Sequence, residues 1–506
     1  MTMPRPKPQR VAAIPAPPGL PRVSARREQS AVLLMLWLAI AGFWYCTLLS
    51  PGWSLFEPGP YQLTFNSMLL HLLHGRFDVD PAAIGLEGFR YGNSVYAYFG
   101  VFPALLRLPF LPLPGFATTD FTTLSCLAAA CLMALFKMQS VLIVWRRYGS
   151  RQSAALLAPM RAVIFLSGAQ IQFLRPSIYQ ESCLWAGVFA AAFVLLLLHG
   201  WTRSGGFTAG LLSALAAVAG LCLLTRVSTA LGLYIAFVLL GAVLAWRDIR
   251  AADRRAWPAG IVRLAPAAMV LIAFAGAAGF INWQRWGDPW VFMPSQEQYL
   301  FAQKYFPDRL ARHREFGDFN IIRLGYGLLY YWFPIWGMRD GSGHLLWSEF
   351  VGRTLDAVEL PPASFFISDP LVVGLAAVAL IRFCRSGDAK VRLLPIGAAA
   401  LGLAVPAVLM LTYVAMSFRY RIEFYPFLEL CGFAGFALVA AAPSRRARWL
   451  FSGAAVLSVI GSHLEWFLYR ISIFGPIVSC RDTNWDICTT IAKDGLVAYY
   501  RAHFHH

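Results

Sequence analysis

The segment 75–110 reads GRFDVDPAAIGLEGFRYGNSVYAYFGVFPALLRLPF, and the rest of the chain is arranged around it. It follows one long apolar segment and precedes another, which predicts a position at a membrane surface. Asp78, Asp80 and Glu87 place three carboxylates ahead of the aromatic run YAYFGVFP. Carboxylates held beside a bilayer by a rigid aromatic segment favour chemistry on a membrane-anchored substrate. An ordinary ordered loop would show the same pattern, so this stretch alone leaves both interpretations open.

The composition indicates a membrane protein. Hydrophobic residues make up 58% of the chain and charged residues 14%, and the mean hydropathy is +0.57. Soluble domains carry about 25% charged residues. The apolar runs are continuous and long enough for spanning helices, unlike the short alternating segments of a β-barrel. The sequence therefore predicts an all-α polytopic membrane protein.

Eleven transmembrane helices are predicted, with ends defined to within several residues. They cover about 31–49, 121–145, 154–174, 183–199, 207–224, 228–246, 264–282, 365–382, 393–415, 422–442 and 449–467. Together they form a transmembrane domain over 31–467. Residues 1–30 are rich in Pro, Ala and Arg and are predicted to form a disordered basic cytoplasmic tail.

The net charge of +17 is distributed unevenly among the connections between spans. With the N-terminus in the cytoplasm, the cytoplasmic connections hold most of the arginines. The short loops on the other side hold four, Arg175, Arg226, Arg419 and Arg421. This asymmetry is the orientation signal of membrane insertion. It argues against nucleic acid as a partner, because no basic, aromatic-interleaved domain is present.

The predicted orientation places the two long loops, about 50–120 and 283–364, outside the cytoplasm with the C-terminal tail 468–506. The second loop contains FNIIRLGYGLLYYWFPIWG, which is apolar and aromatic but interrupted by Gly327 and Pro334. We expect this segment to form a helix at the interface or over the membrane domain rather than another span.

The few outer arginines lie at the ends of predicted helices, next to aromatic and acidic residues. The predicted substrate-binding residues are Arg175, Tyr179, Glu181, Arg226, Arg419, Tyr420 and Arg421, with Tyr96 and Tyr98 from the first loop. Ionisable groups at such positions usually have a binding role, and converging guanidiniums bind phosphate through bidentate bonds. Alternatively, each arginine reaches the lipid headgroups or pairs with a local carboxylate such as Glu181 or Glu423.

The predicted outer carboxylates would face arginines that hold a lipid phosphate. This arrangement would suit the transfer of a sugar from a polyprenyl carrier. One carboxylate would act as general base on the acceptor hydroxyl. The arginines would stabilise the negative charge that develops on the departing lipid phosphate.

Four stretches carry a resemblance to a known class: LTFNSMLLHLLHGRFDVD with GNSVYAYFGVFPALLRLP, LRPSIYQESCLWAG, INWQRWGDP, and FRYRIEFYPFL. The sequence resembles the GT-C class of integral membrane glycosyltransferases, which use polyprenol-phosphate sugars outside the cytoplasmic membrane. The resemblance implies a catalytic carboxylate soon after the first span, often as an Asp-Glu pair. This chain departs from that pattern, since Glu57 stands at the corresponding place without an adjacent acid.

The candidate bases are, in order, Asp78, Glu87, Glu57 and Asp80. Asp80 precedes Pro81 and could instead shape a turn. No Walker loop, GxGxxG, HExxH or GxSxG motif is present, so no cofactor is predicted. A requirement for a divalent cation remains open.

The predicted function is therefore that of a glycosyltransferase in the cytoplasmic (inner) membrane of a bacterium. Its partners would be a polyprenyl-phosphate-linked sugar, membrane lipids, and a lipid, glycan or protein acceptor. A transporter or flippase of a lipid-linked saccharide is the rival interpretation, but the polar residues gather at the outer ends rather than near the midplane. A non-catalytic partner in envelope assembly is a third.

Overall fold

The computed structural model describes residues 24–50, 52–56, 59, 61–250, 256–300, 307–334, 341, 347–358, 364–385 and 387–471. The α-helices are α1 (Ser24–Leu49), α2 (Thr64–Leu73), α3 (Pro81–Ile84), α4 (Phe102–Leu105), α5 (Thr122–Tyr148), α6 (Leu157–Leu166), α7 (Ala169–Gln172), α8 (Ile178–Thr202), α9 (Ala209–Leu223), α10 (Val227–Arg250), α11 (Ala256–Trp286), α12 (Pro307–Phe316), α13 (Leu324–Trp332), α14 (Ser348–Thr354), α15 (Phe365–Ser368), α16 (Pro370–Arg385), α17 (Gly387–Thr412), α18 (Tyr425–Ala441) and α19 (Arg445–Ile471). The strands are β1 (Phe89–Tyr91), β2 (Ser94–Tyr96), β3 (Ala357–Val358) and β4 (Ala415–Met416). Short 3₁₀ turns cover Gly85–Glu87, Leu108–Phe110, Arg151–Leu156, Gln296–Gln298, Ile321–Arg323 and Phe418–Glu423.

Within the described residues, eight helical stretches are long and apolar enough to cross a membrane. They are Val32–Leu49, Thr122–Tyr148, Arg151–Gln172, Ile178–Thr202, Val227–Ile249, Val262–Trp286, Leu393–Thr412 and Arg445–Tyr469. The protein is thus a multi-pass membrane protein built from helices, as the sequence predicted. The other three predicted spans fall on the shorter helices α9, α16 and α18, of 15, 16 and 17 residues. The count of eleven stays a prediction.

The start of the first helix differs from the prediction. α1 begins at Ser24, inside the tail that was predicted to be disordered up to residue 30. The polar segment SARREQS contains Ala, Arg, Glu and Gln, which favour helix, so it extends the apolar helix backwards. Residues 1–23 and 472–506, which hold the rest of the N-terminal tail and nearly all of the C-terminal tail, lie outside the described part of the chain.

α8 lies at the centre of the bundle. Within its spanning window 83% of the residues are buried, against 17% for α11 at the periphery. Small residues such as Gly187, Ala190 and Ala191 allow close approach of neighbouring helices. Trp185 donates its indole N–H to Ser125 Oγ of α5 at 2.9 Å. This bond and the close contacts fix α8 against its neighbours in the bundle.

Glycines permit the closest helix contacts, and one of them gives a testable expectation. A Cβ on Gly435 of α18 would overlap the backbone carbonyl oxygen of Leu375 in α16, whereas a Cβ on Gly374 of α16 would meet open space. We expect Gly435→Ala to destabilise the protein by about 1–3 kcal/mol because the two helices must move apart. Gly374→Ala should be neutral or slightly stabilising, since alanine favours helix. Thermal unfolding in detergent compares the two; equal unfolding temperatures would contradict the expectation.

The two long loops lie at the same end of the bundle and contact each other. The first loop contains the hairpin β1–β2, in which Phe89 pairs with Tyr96. Phe89 also bridges to Tyr299 of the second loop, and Leu300 N donates to Gly88 O at 3.1 Å. The second loop is fixed in turn to the end of α17, through a bridge between Phe319 and Tyr413 and the parallel pairing of β3 with β4.

The aromatic segment of the second loop forms α13, a helix of nine residues that ends at Trp332, before Pro334. It is too short to cross a membrane. Gly327 packs directly on the backbone of Leu411 in α17, and Tyr330 and Tyr331 are buried. The described part of this segment therefore does not span a membrane, as the sequence predicted; its position at the interface or over the membrane domain stays a prediction.

Candidate functional site

A cavity of about 390 Å³ opens where the two long loops meet the helix ends. Its wall combines the segment 98–101, the junction of α9 and α10, the end of α11, and residues around Asp318, Tyr413 and Arg419. Its charged lining residues in the described part of the chain are Arg226, Arg285, Arg419 and Asp318. A cavity with three guanidiniums and one carboxylate attracts an anion.

Arg285, in the last turn of α11, is the unusual cation of this wall. It is 3% exposed. It donates to Phe99 O at 2.9 Å and approaches Met68 Sδ at 3.7 Å, but its Nε has no hydrogen-bond partner. Among the described residues, no carboxylate forms an ion pair with it. Because a buried charge without a counterion is costly, Arg285 is poised to bind an anion that enters the cavity.

Arg226, between α9 and α10, is held by a buried carboxylate. Its Nε donates to Glu423 Oε1 at 2.7 Å, and Ser228 and Thr229 donate to the same carboxylate at 2.6 and 2.8 Å. Glu423 is fully buried. This local pairing is one of the alternatives that the sequence left open. It orients Arg226 toward the cavity while leaving little of its charge uncompensated.

Arg419 lies between aromatic rings. Its guanidinium is 4.3 Å from the ring centre of Tyr179 and 5.3 Å from that of Tyr420. Stacking on aromatic faces holds a guanidinium flat and fixes its orientation. Arg419 and Tyr420 line the cavity, and Tyr179 supports them from α8.

Tyr98 connects the cavity to the first loop. Burial raises the pKa of its phenol well above the usual value; the charge of Glu87 adds to this rise, and those of Arg419 and Arg226 oppose it. Glu87 itself does not line the cavity. Its Oε2 accepts a hydrogen bond from the Tyr299 hydroxyl at 2.9 Å. Tyr96 packs its ring on Trp286, next to Arg285, at 5.3 Å.

The remaining predicted bases have local partners. Asp78 binds Arg76 at 2.6 Å and His71 at 3.1 Å. Although partial burial opposes it, these bonds hold the pKa of Asp78 below its usual value. Asp80 caps α3 by accepting from Ala82 N at 2.9 Å, which is the turn-forming role considered from the sequence. Glu57 lies outside the described residues.

Three of the predicted substrate-binding residues lie away from the cavity. Glu181 forms a fully buried two-pronged ion pair with Arg107, with Nη2 to Oε2 at 2.7 Å. Arg421 is buried on Asp369 at 3.2 Å and over the ring of Phe365. The Arg175 guanidinium lies 5.3 Å from the ring centre of Tyr469. The structure thus brings together Arg226, Arg419, Tyr420 and Tyr98 from the predicted set, with Tyr179, Glu87 and Tyr96 at its edge.

Two charged residues of the cavity, Arg285 and Asp318, were not singled out from the sequence. Arg285 lies in the INWQRWGDP stretch at the predicted outer end of a span, and an arginine there opposes the insertion rule. Arg285 precedes a long loop, whereas the four predicted outer arginines lie in short ones. Asp318 carries no sequence signal, because its position over the cavity depends on how the second loop folds back onto α17. No cluster of three or more His, Cys, Asp or Glu residues fit for a metal occurs within the described ranges.

No protein-family description and no curated protein matches the chain significantly. Among solved structures, one match is the oligosaccharyltransferase of Archaeoglobus fulgidus with a tethered acceptor peptide. The alignment covers 86% of this chain and 55% of the archaeal chain, at 14% identity and TM-score 0.45. The same organism's AglB with an inhibitory peptide and a dolichol-phosphate gives 15% identity and TM-score 0.44. A further match is ArnT from Cupriavidus metallidurans bound to undecaprenyl phosphate. The alignment covers 94% of this chain and 85% of the ArnT chain, at 14% identity and TM-score 0.41.

The proteins found are glycosyltransferases of the GT-C class, the class that the sequence resembles. The chain spans about half the length of the archaeal enzymes it matches. With identities of 14–15% and TM-scores below 0.5, these alignments transfer no activity and no site residue to this chain.

Proposed function

We propose that this protein is a membrane glycosyltransferase that moves a sugar from a polyprenyl-phosphate donor to an acceptor outside the cytoplasm. The supporting observation is Arg285, a buried guanidinium that forms no ion pair with any carboxylate of the described residues. It lies on the wall of a cavity that also holds Arg226 and Arg419. Such a site favours a phosphate group, whose oxygens accept the paired hydrogen bonds of arginine.

The rest of the lining suits the lipid part of such a donor. Phe99, Leu224, Ile281, Phe292 and Met293 give the cavity an apolar side next to the cationic one. An isoprenoid chain can lie against these residues while its phosphate reaches the arginines. The helices α9 and α11, which end at this cavity, are apolar, and α11 is largely exposed on the outside of the bundle.

The chemistry follows from this placement. The acceptor oxygen attacks the anomeric carbon while the bond from that carbon to the phosphate oxygen breaks. The lipid phosphate leaves with the bonding electrons, and the arginines stabilise the charge that develops on it. A carboxylate at the cavity takes the proton of the acceptor hydroxyl. The phosphate is a good leaving group, so no general acid is required.

We place the protein in the inner membrane of a bacterium, with both long loops and the C-terminus outside the cytoplasm, following the arginine asymmetry. The two loops contact each other at one cavity, which supports a position on the same side of the membrane for both. A transporter would need a polar site near the membrane midplane that opens to both sides, whereas this cavity lies at the helix ends.

The test uses purified protein in proteoliposomes with radiolabelled polyprenyl-phosphate sugars and candidate acceptors. We expect release of polyprenyl phosphate together with transfer of label to an acceptor. Movement of intact donor between leaflets without bond cleavage would instead establish a flippase. Lack of any binding of polyprenyl phosphate would contradict both.

A further inference from the structure

We propose that Asp318 of the second loop, held by His313, is the general base of the transfer reaction; this rests on the glycosyltransferase function proposed above. The sequence pointed to the first loop for this group. Among the described residues, however, Asp318 is the carboxylate on the cavity lining, in the same wall as Arg285 and Arg419.

The exposure of Asp318 suits a proton acceptor. Its side chain is 45% exposed, so the carboxylate is accessible from the cavity. One oxygen, Oδ1, binds His313 Nδ1 at 2.6 Å. The other oxygen takes no part in this ion pair and can accept a proton from an acceptor hydroxyl.

The backbone around Asp318 is fixed, so that its side chain is held in place before substrate arrives. Val414 N donates to Asp318 O at 2.8 Å, and Asn320 N donates to Thr412 O at 2.8 Å. The buried guanidinium of Arg323 donates to Asp318 O and Gly317 O, each at 3.0 Å. Such bonding attaches the loop to the end of α17, the preorganisation that a catalytic group requires.

His313 orients the carboxylate. Its Nδ1 binds Asp318, and its Nε2 faces Asp356 Oδ2 at 3.9 Å. Burial opposes protonation of the ring, but the two carboxylates raise the pKa of His313 above its usual value. Two further charged groups lie here: Arg312, 3.5 Å from Asp356, and Arg323, which donates to Asp318 O. A protonated His313 donates its Nδ1–H to Asp318 Oδ1 and so orients the carboxylate.

The proton balance is complete within this arrangement. As the new bond to the anomeric carbon forms, the acceptor hydroxyl loses its proton to Asp318. The electron pair of the broken bond leaves on the lipid phosphate beside Arg285. Asp318 then releases the proton to water through the open side of the cavity. His313 acts as a positioning residue and does not touch the reacting atoms.

The experiment measures kcat and donor binding separately for Asp318→Asn, Glu87→Gln and Glu297→Gln. Glu297 is an exposed carboxylate of the same loop and serves as the control. We expect Asp318→Asn to lower kcat by about 10²–10⁴-fold with donor binding retained, which also shows that the variant is folded. A loss of kcat in Glu87→Gln with an active Asp318→Asn would overturn the proposal.

Two further readouts complete the test. For His313→Gln, we expect the acidic limb of the kcat–pH profile to move to higher pH, because the positive charge beside the base is gone; a merely structural role would lower kcat without moving the limb. Failure of the wild type to cleave any donor would remove the proposed function and this proposal together. Turnover that depends on Arg285 but not on Asp318 would remove this proposal alone.

Discussion

Replacing Arg285 with methionine should weaken binding of a polyprenyl phosphate by about 100-fold while leaving the unfolding temperature unchanged or raised. Charge-assisted hydrogen bonds contribute about 1.5–3 kcal/mol each, and about 2.7 kcal/mol corresponds to a factor of 100 in Kd. Among the described residues, no carboxylate pairs with this buried guanidinium, and its Nε has no hydrogen-bond partner. Its removal therefore relieves a desolvation cost rather than breaking an ion pair. The measurements are a binding titration with radiolabelled polyprenyl phosphate and thermal unfolding of the same samples.

The control is Arg146→Met. Arg146 is an exposed arginine in the last turn of α5, at the opposite end of the bundle. The Arg146→Met substitution removes the same charge without touching the cavity. Donor binding should therefore stay within about twofold of the wild type, as expected for a well-separated surface site. Equal losses of binding in both variants would show that the lipid phosphate is attracted by overall charge. A marked fall in stability for Arg285→Met would show that this arginine is structural.

The second large effect is expected for Arg107→Met. This variant should lose stability and keep donor binding per folded molecule, whereas Arg285→Met should lose donor binding and keep stability. Arg107 and Glu181 are 1% and 0% exposed and form a two-pronged ion pair. Removing the arginine leaves a buried carboxylate without its partner, which costs about 3–5 kcal/mol. Because neither Arg107 nor Glu181 lines the cavity, we expect donor binding to fall only as the folded fraction falls. Thermal unfolding and the yield of monodisperse protein measure the effect.

The double variant Arg107→Met with Glu181→Leu tests the cause. A buried ion pair replaced by apolar residues of similar volume is often neutral for stability, so most of the loss should be recovered. If the double variant were as unstable as the single one, the packing of Arg107 on Phe65, 5.2 Å from the ring centre, would be the dominant contribution instead. The contrast between Arg107 and Arg285 separates a structural arginine from a binding one.

The helical fold could be predicted because its cause lies in local composition. Apolar segments of the length of a bilayer must satisfy their own backbone hydrogen bonds, and helices do this within the segment. The interruption of the second loop's aromatic segment by Gly327 and Pro334 likewise predicted a short helix, and α13 ends before that proline. Exact ends were less predictable: α1 starts at Ser24 because polar helix formers extend it.

The site could be predicted only in part. Arg226, Arg419 and Tyr420 were identified because outer arginines oppose the insertion rule, and they line one cavity. The same rule could not separate them from Arg421, which pairs with Asp369, since partners distant in sequence decide which arginine is neutralised. For the same reason Glu181 was assigned to the substrate, while the structure pairs it with Arg107.

The sequence by itself determined that this protein is a helical membrane protein with its arginines unevenly placed, because hydropathy and charge are summed over each segment alone. Only the tertiary structure decided which charges remain uncompensated. Arg285 and Asp318 lie on different loops and helix ends, and their meeting at one cavity depends on the contact of the two long loops. Charge compensation is a property of pairs of residues far apart in the chain, so it appears only when the chain is folded.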